Sequence, residues 1–251
     1  MNPIFIIKKI WNNYNNYTFR DGCDLLLSRF GHMKHPFSGY IRANTTIRAA
    51  NEQRLSICDY VEQLWDEKGV TEMVIDKMNQ CGVLDHAQKI CEIGPGTGIF
   101  LEKTLKSCTT PEYVFYEVAD DWSNYLEKTY PVKRRNADGQ TLKDETDFSC
   151  DLVHAHGVFT TIHFLYSFNY MKEMIRVTKK AGYIVFDFFC EDSMSGKYLE
   201  QWLSTLHWLP GGILPSRTVK DLFYTSGCIL IDEFDRKYGA SFSRYYIFRK
   251  S

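Results

Sequence analysis

The sequence predicts an α/β protein built on a doubly wound sheet of seven strands, mostly parallel, with a C-terminal antiparallel hairpin and an N-terminal helical cap. Three observations carry this. A short apolar strand, Lys89–Ile93, runs into Gly94-Pro95-Gly96-Thr97-Gly98 and straight on into a helix. Strand-like and helix-like segments then alternate as far as Phe189, the pattern of a parallel sheet covered on both faces. In the tail, residues 229–234 and 242–248 are separated by a short polar turn. No helix fits between them, so they should pair antiparallel.

In chain order, residues 1 to about 45 are aromatic and asparagine-rich, as in Trp11-Asn12-Asn13-Tyr14, without a repeat. Leu55, Cys58, Val61, Leu64 and Trp65 recur at helical spacing, and Gly69 supplies a stop. Met73, Val74, Met78 and Cys81 mark a second helix that stops at Gly82. These helices precede the glycine turn, so residues 1–85 read as a cap or lid and residues 86–251 as the main domain. There the expected order is strand 89–93, helix 97–107, strand 112–118, helix 121–129 and a short strand 132–136. A buried strand 150–156, helix 167–180, strand 183–189 and the hairpin follow, with a substrate-side insertion at about 190–215.

A length of 251 residues suits one large domain or one domain with an extension. The net charge is -1, so no overall field draws nucleic acid or anionic membrane. Lys133-Arg134-Arg135, a tight basic cluster, reads as a solvated edge. The cysteines are scattered without a Cys-x-x-Cys pair, which is the usage of small core residues in a reducing compartment. No apolar run approaches the roughly 20 residues of a membrane span. The apolar start at residues 3–11 is too short for a signal-peptide core with a cleavage site. A cytoplasmic protein is expected. Its apolar start would pack on its own domain or on a second subunit, as in a homo-oligomer, or touch a membrane surface weakly.

Glycine has no β-carbon, so glycines at alternate positions let a bulky nucleotide-like cofactor lie against bare main chain. Parallel sheets bind ligands beyond the carboxyl ends of their strands, and candidate residues fall there in series. Glu92, Gly94, Pro95, Gly96 and Gly98 follow or close the first strand. Glu117 lies near the end of the second, where two carboxylate oxygens can accept from both hydroxyls of a ribose. Ala137, Asp138 and Gly139 follow the third, and a carboxylate at 138 could accept from the exocyclic amine of adenine. His156 and Gly157 follow the fourth.

Together these residues resemble the class I S-adenosylmethionine-dependent methyltransferases, over roughly residues 70–250. Glu-x-Gly-x-Gly-x-Gly at 92–98 is similar to the family's first motif, Glu117 to its ribose acid, and Ala137-Asp138 to its adenine-contacting pair. Asp151-Leu152-Val153-His154-Ala155-His156-Gly157-Val158 resembles its fourth-strand motif, and the tail hairpin matches as well. The resemblance implies a Rossmann-like fold, S-adenosyl-L-methionine as cofactor, and methyl transfer. Asp120 and Asp121 stand beside Glu117, and Asp121 is also placed to cap the next helix. Ile99 occupies the third glycine position of a G-x-G-x-x-G pattern, which favours adenosylmethionine over a nicotinamide cofactor.

Methyl transfer from a sulfonium is an in-line displacement. The protein aligns the acceptor and removes a proton where one must leave. Histidine suits that task near neutral pH, so His156 and His163 are the catalytic candidates. The family often uses the position of His156 only to line the cofactor site, and His154 reads as a satisfied core residue. Glu191 and Asp192 could hold a divalent metal, but no third carboxylate matches, so no metal site is assigned and a solvated helix start is expected. The segment 193–215, with Trp202, His207, Trp208 and Pro210-Gly211-Gly212, is expected to form a substrate wall with the cap. Its aromatic residues would stack on a sugar or ring, or pack under a loop. Arg42, Arg48 and Arg54 could meet an anionic group, although six-residue steps put them on different helix faces.

The resulting reading is a methyltransferase acting on oxygen of a small polar acceptor, such as a sugar or glycan intermediate, and not on nucleic acid. Gly157-Val158-Phe159-Thr160 lacks the Asn-Pro-Pro-Tyr-like segment of amino-group methylases. Two other readings stay open. One is a non-catalytic scaffold on the same fold, against which the intact glycine turn argues. The other is an aminopropyl transferase, whose pair of acids after the fourth strand is missing.

Overall fold

The structure is a computed structural model that describes residues 41–65, 67–109, 111–204, 212–239 and 241–251. The expectations for residues 1–40, and for His207, Trp208, Pro210 and Gly211, lie outside the described residues. Helices α1 (Ala43–Glu52), α2 (Ile57–Trp65) and α3 (Val70–Gln80) come first. Then follow β1 (Lys89–Ile93), α4 (Ile99–Ser107), β2 (Glu112–Tyr116), α5 (Asp120–Thr129), β3 (Lys133–Arg135) and β4 (Cys150–Ala155). The chain continues through α6 (Phe164–Val177), β5 (Thr178–Phe188), α7 (Lys197–Ser204), α8 (Ser216–Thr225), β6 (Cys228–Tyr238) and β7 (Ser241–Lys250).

The sheet has seven strands in the order β3-β2-β1-β4-β5-β7-β6. Pairings from β3 across to β5 are parallel, and β7 runs antiparallel to both β5 and β6. Strand order reverses between β1 and β4. At such a switch point the loops leave to opposite faces and open a crevice at the carboxyl ends. Glu92 pairs with His154 and Ile93 with Ala155 in register, so the glycine turn and His156 leave the sheet side by side.

Alternation along the strands fills two apolar layers. Cys91, Ile93, Val114, Val153, Ile184 and Phe186 pack with Met171 and Met174 of α6 and with Val219 and Phe223 of α8. On the other face Ile90, Tyr113, Phe115, Leu152, Val185 and Ile247 pack with Val74 and Met78 of α3, Leu101 of α4 and Leu126 of α5. Each such large side chain contributes about 1.5–3 kcal/mol on burial. Thus α3 belongs to the core layer of the sheet. Helices α1 and α2 are tied to α4 and α5. The Ala43 N–H donates to Asp121 Oδ2 at 2.9 Å, the Cys58 thiol to Glu102 Oε2 at 3.0 Å, and Lys103 Nζ to Glu62 Oε1 at 2.6 Å. Residues from Arg42 to Ser251 form one compact unit.

Several element ends differ from the sequence expectation. Helix α6 begins at Phe164, with His163 as its N-cap, and Thr178–Gly182 belongs to β5 rather than to the helix. β6 runs on through Asp235 to Tyr238, where a polar turn was expected, because Arg236 turns inward (5 % exposed) while its neighbours face outward. The basic cluster forms the edge strand β3. It is met by acids there: Arg134 by Asp120, Arg135 by Glu145, and Lys133 by Glu112.

Candidate active site

The three glycines of the turn all have positive φ: 61° at Gly94, 53° at Gly96 and 85° at Gly98. Their surroundings divide them. A Cβ at Gly94 would stand 2.7 Å from Val158 Cγ2, and one at Gly98 would stand 2.6 Å from Leu126 Cδ2. Those two glycines admit close packing. A Cβ at Gly96 would meet no atom of the described residues within 4 Å, so among the described residues the bare main chain at Gly96 faces open space. The turn is held by the Gly94 N–H donating to Tyr116 O (2.7 Å) and the Gly98 N–H donating to Pro95 O (2.9 Å).

Glu117 ties the end of β2 to this turn. Its Oε2 accepts from the Gly96 N–H at 2.9 Å and its Oε1 from the Ala119 N–H at 2.8 Å. Burial raises its pKa, against the downward pull of the backbone N–H groups of Ala119, Gly96 and Val118. A carboxylate has about four lone-pair sites, so acceptor capacity remains for a ribose hydroxyl. Beside it a cleft of about 570 Å³ is lined by Glu117, Val118, Asp120, Asn136 and Ala137 among others. Asp138 is exposed and organises its own loop. Its Oδ1 accepts from the Gln140 and Thr141 N–H groups at 2.9 and 2.7 Å, and its Oδ2 from the Thr141 hydroxyl at 2.6 Å. The outer lone pair of Oδ2 is what it retains for an incoming amine.

Glu92 points into the protein, 1 % exposed, with the Tyr113 hydroxyl donating to its Oε2 at 2.6 Å. Burial pushes its pKa up to about 8, and the Tyr113 hydrogen bond opposes the rise. Tyr113 Oη lies 3.0 Å from His154 Nε2, and His154 Nδ1 lies 2.8 Å from His156 Nε2. His156 Nδ1 in turn lies 3.1 Å from Tyr245 Oη. Burial lowers the pKa of His154 to about 3 and holds that of His156 well below its ordinary value. The His156 ring also stacks on Phe100, centroids 3.8 Å apart. This corrects the expectation that His156 could serve as the base. Both its ring nitrogens are engaged inside the protein, so neither is offered to an acceptor. His154 is the satisfied core residue that the sequence suggests.

His163 is exposed at the start of α6. Its contact with the Leu165 N–H is 3.4 Å, too long to lock one tautomer. Phe164 and Tyr166 stand beside it with ring centroids at 4.8 and 6.1 Å, both partly exposed. Gly212 backs onto this group, since a Cβ there would lie 3.2 Å from Phe164 N. The end of the insertion therefore lines the same side of the sheet. Trp202 is buried instead: its Nε1 donates to Ser193 O at 3.1 Å and its ring packs edge-on against Phe189. Glu191 receives the Ser216 N–H and hydroxyl at the start of α8, and Asp192 receives Arg244. Among the described residues no group of three or more His, Cys, Asp or Glu is placed to hold a metal.

Sequence reasoning missed Asp187, Arg236 and Tyr238. The buried Asp187 Oδ1 accepts the Gly157 N–H at 2.6 Å, and Arg236 Nη1 lies 3.8 Å from its Oδ2. Arg236 also pairs with Glu67 and lies over the Tyr238 ring at 5.1 Å. One signal was available: Asp187 is the lone charge in Tyr183-Ile184-Val185-Phe186-Asp187-Phe188-Phe189.

A family model described as a methyltransferase domain matches residues 50–230. No curated protein matches the chain in sequence. Solved structures share the fold at low identity. The N-methyltransferase NodS from Bradyrhizobium japonicum, in complex with S-adenosyl-L-homocysteine, is 15% identical over 73% of this chain and 87% of its own, with a TM-score of 0.53. An O-methyltransferase family protein from Burkholderia thailandensis is 12% identical over 99% of this chain and 70% of its own, with a TM-score of 0.56. Magnesium protoporphyrin IX methyltransferase (ChlM) from Synechocystis PCC 6803, with bound SAM, is 8% identical over 76% of this chain and 83% of its own, with a TM-score of 0.55.

Proposed function

Because the chain belongs to the methyltransferase-domain family, we propose that it transfers a methyl group to a hydroxyl oxygen of a small polar acceptor such as a sugar or glycan intermediate. The donor of this family is S-adenosylmethionine, which supplies an activated methyl group on a positively charged sulfur. Gly94, Pro95, Gly96 and Gly98 would take its amino-acid end, Glu117 its ribose, and Ala137, Asp138 and Gly139 its adenine, with Glu92 and His156 supporting the turn from beneath. The observation that carries this reading is Gly96. Its main chain is bare, faces open space among the described residues, and is anchored by the same carboxylate that would grip the sugar. A cradle that a Cβ would fill, next to a buried acid with acceptor capacity to spare, fits a cationic nucleoside donor.

On the acceptor side His163 is the base. Its exposed imidazole takes the hydroxyl proton and passes it to solvent. Phe164 and Tyr166 offer apolar ring faces on which a sugar could stack. Among the described residues, helices α1 and α2 would cover the acceptor as a cap. Support for that comes from the Ala43–Asp121 hydrogen bond, which sets the start of α1 beside the carboxyl end of β2. The test is a calorimetric titration with adenosylmethionine, followed by an adenosylhomocysteine-release assay with a panel of sugars and aromatic alcohols. Donor binding with release driven by a sugar hydroxyl supports the reading. Release only with amine acceptors would replace oxygen by nitrogen as the methylated atom.

A further inference from the structure

The buried charges that the donor and acceptor readings leave unused gather around one residue, Gly157. It lies just past β4 and begins the loop that ends at His163, the N-cap of α6. Its φ is 70°, so the chain turns sharply there. The Gly157 N–H donates to Asp187 Oδ1 at 2.6 Å, and the Gly157 carbonyl oxygen accepts from the Thr160 hydroxyl at 2.7 Å. Tyr238 stands alongside. Its hydroxyl lies 3.5 Å from Thr160 Oγ1, and a Cβ at Gly157 would stand 3.8 Å from it. The Arg236 guanidinium lies over the Tyr238 ring at 5.1 Å. Arg236 Nη1 is 3.8 Å from Asp187 Oδ2, and Nη2 pairs with Glu67 of the α2–α3 connection.

Asp187 is fully buried near the end of an apolar strand. Burying a carboxylate is costly unless it is paired and hydrogen-bonded. Here Arg236 supplies the counter-charge and Gly157 a hydrogen bond. Such a charge-assisted bond is stronger than a neutral one, so the carboxylate pins the main chain where the loop leaves the sheet. The loop beyond is short and internally bonded. The Thr161 and Ile162 N–H groups both donate to Val158 O, at 3.0 and 3.2 Å. Phe159 is buried against Phe186, ring centroids 5.5 Å apart. A displacement of Gly157 is therefore passed along to His163.

We propose that Asp187 is a positioning residue for methyl transfer: held by Arg236, it fixes the main chain at Gly157 and, through the turn 158–162, sets His163 and the acceptor in line with the donor's methyl group. The inference rests on the reading that the acceptor meets His163. The donor turn has anchors of its own, Tyr116 O at Gly94 and Glu117 at Gly96. Asp187 thus acts on acceptor alignment and not on donor affinity. Through Glu67, the same arginine ties the α2–α3 connection to the loop.

Amide hydrogen exchange of the whole chain, followed by NMR, tests the pin without any ligand. Asp187→Asn keeps an oxygen for the Gly157 N–H and loses the charge, whereas Asp187→Leu loses both. Exchange at Gly157, Thr161 and Ile162 should quicken modestly in Asp187→Asn and by about 10–100-fold in Asp187→Leu. Arg236→Gln, a change outside the loop, should quicken the same amides. The Gly96 amide and those of β1 and β2 should keep parent rates. Calorimetric affinities for adenosylmethionine should stay within about twofold of the parent. Adenosylhomocysteine release, driven by whichever sugar or alcohol of the panel serves the parent, should fall by about 10²-fold in Asp187→Leu, with Asp187→Asn recovering part of the loss. A merely structural residue would quicken exchange throughout the sheet and would not separate turnover from donor affinity. Parent-like exchange at the three loop amides in a folded variant would overturn the proposal, as would parent-like turnover once the loop has loosened, or an equal loss of donor affinity. If no hydroxyl acceptor drives release in the parent, the acceptor reading fails instead, and exchange still decides whether Asp187 pins the loop.

Discussion

Replacing Gly96 with alanine should separate folding from ligand binding. Gly96 has φ 53°, so alanine there incurs the left-handed penalty, about 1–2 kcal/mol. Its Cβ meets no atom of the described residues within 4 Å, so they add no packing cost. For a domain of this size that corresponds to a fall in Tm of about 2–8 °C. The same methyl group projects into the space assigned to the donor, and an affinity loss of at least about tenfold, or 1.4 kcal/mol, is expected. Gly94→Ala and Gly98→Ala should behave differently. Their Cβ atoms would overlap Val158 at 2.7 Å and Leu126 at 2.6 Å. Overpacking of about 1–3 kcal/mol then adds to the backbone penalty, so both should unfold well before Gly96→Ala. Thermal unfolding and calorimetric titration with adenosylmethionine give the two readouts. Gly96→Ala protein that binds the donor as tightly as the parent would refute the reasoning, and so would one as unstable as Gly94→Ala.

Three further outcomes follow from the same geometry. Glu117→Gln turns an amide NH₂ toward a backbone donor, the Gly96 or the Ala119 N–H, so adenosylmethionine affinity should fall by about tenfold or more for an interaction of about 1–3 kcal/mol, as calorimetry would show. Glu92 has a folded pKa of about 8, above its ordinary 4.5. Its contribution to stability is therefore fully present below its unfolded pKa and is lost as pH rises toward the folded one. Glu92→Gln should flatten the pH dependence of urea unfolding between those values by up to about 1.4 kcal/mol per pH unit; an unchanged slope would count against the buried acid. His163→Ala should lower turnover by about 10²–10⁴-fold while leaving donor affinity unchanged. Full turnover with a competent acceptor would remove His163 as the base.

The strands near the donor were the most legible part of the sequence. β1 and the helix after it show an apolar run, a glycine turn and helical periodicity within one stretch, and no long-range contact is needed to place them. The tail hairpin was legible because its spacing excludes a crossover helix. Two features were hidden. β6 continues through Asp235-Arg236-Lys237-Tyr238, a polar run that reads as a turn until pairing with β7 shows Arg236 turned inward beside Asp187 and Glu67. The roles of the histidines were hidden as well. His154 and His156 share a strand face by simple alternation. That their nitrogens close on each other, on Tyr113 and on Tyr245 depends on cross-strand neighbours 41 and 89 residues away in sequence. The glycines look alike in sequence, and only Val158 and Leu126 reveal that two of them serve packing.

The most direct measurement is a calorimetric titration of the parent chain with adenosylmethionine. Saturable binding of one donor per chain, in the micromolar range and weakened by Gly96→Ala, is the expected result. No heat of binding at about millimolar donor, where even an affinity of only about 4 kcal/mol would register, would contradict the assignment of the glycine turn and Glu117 as a donor site.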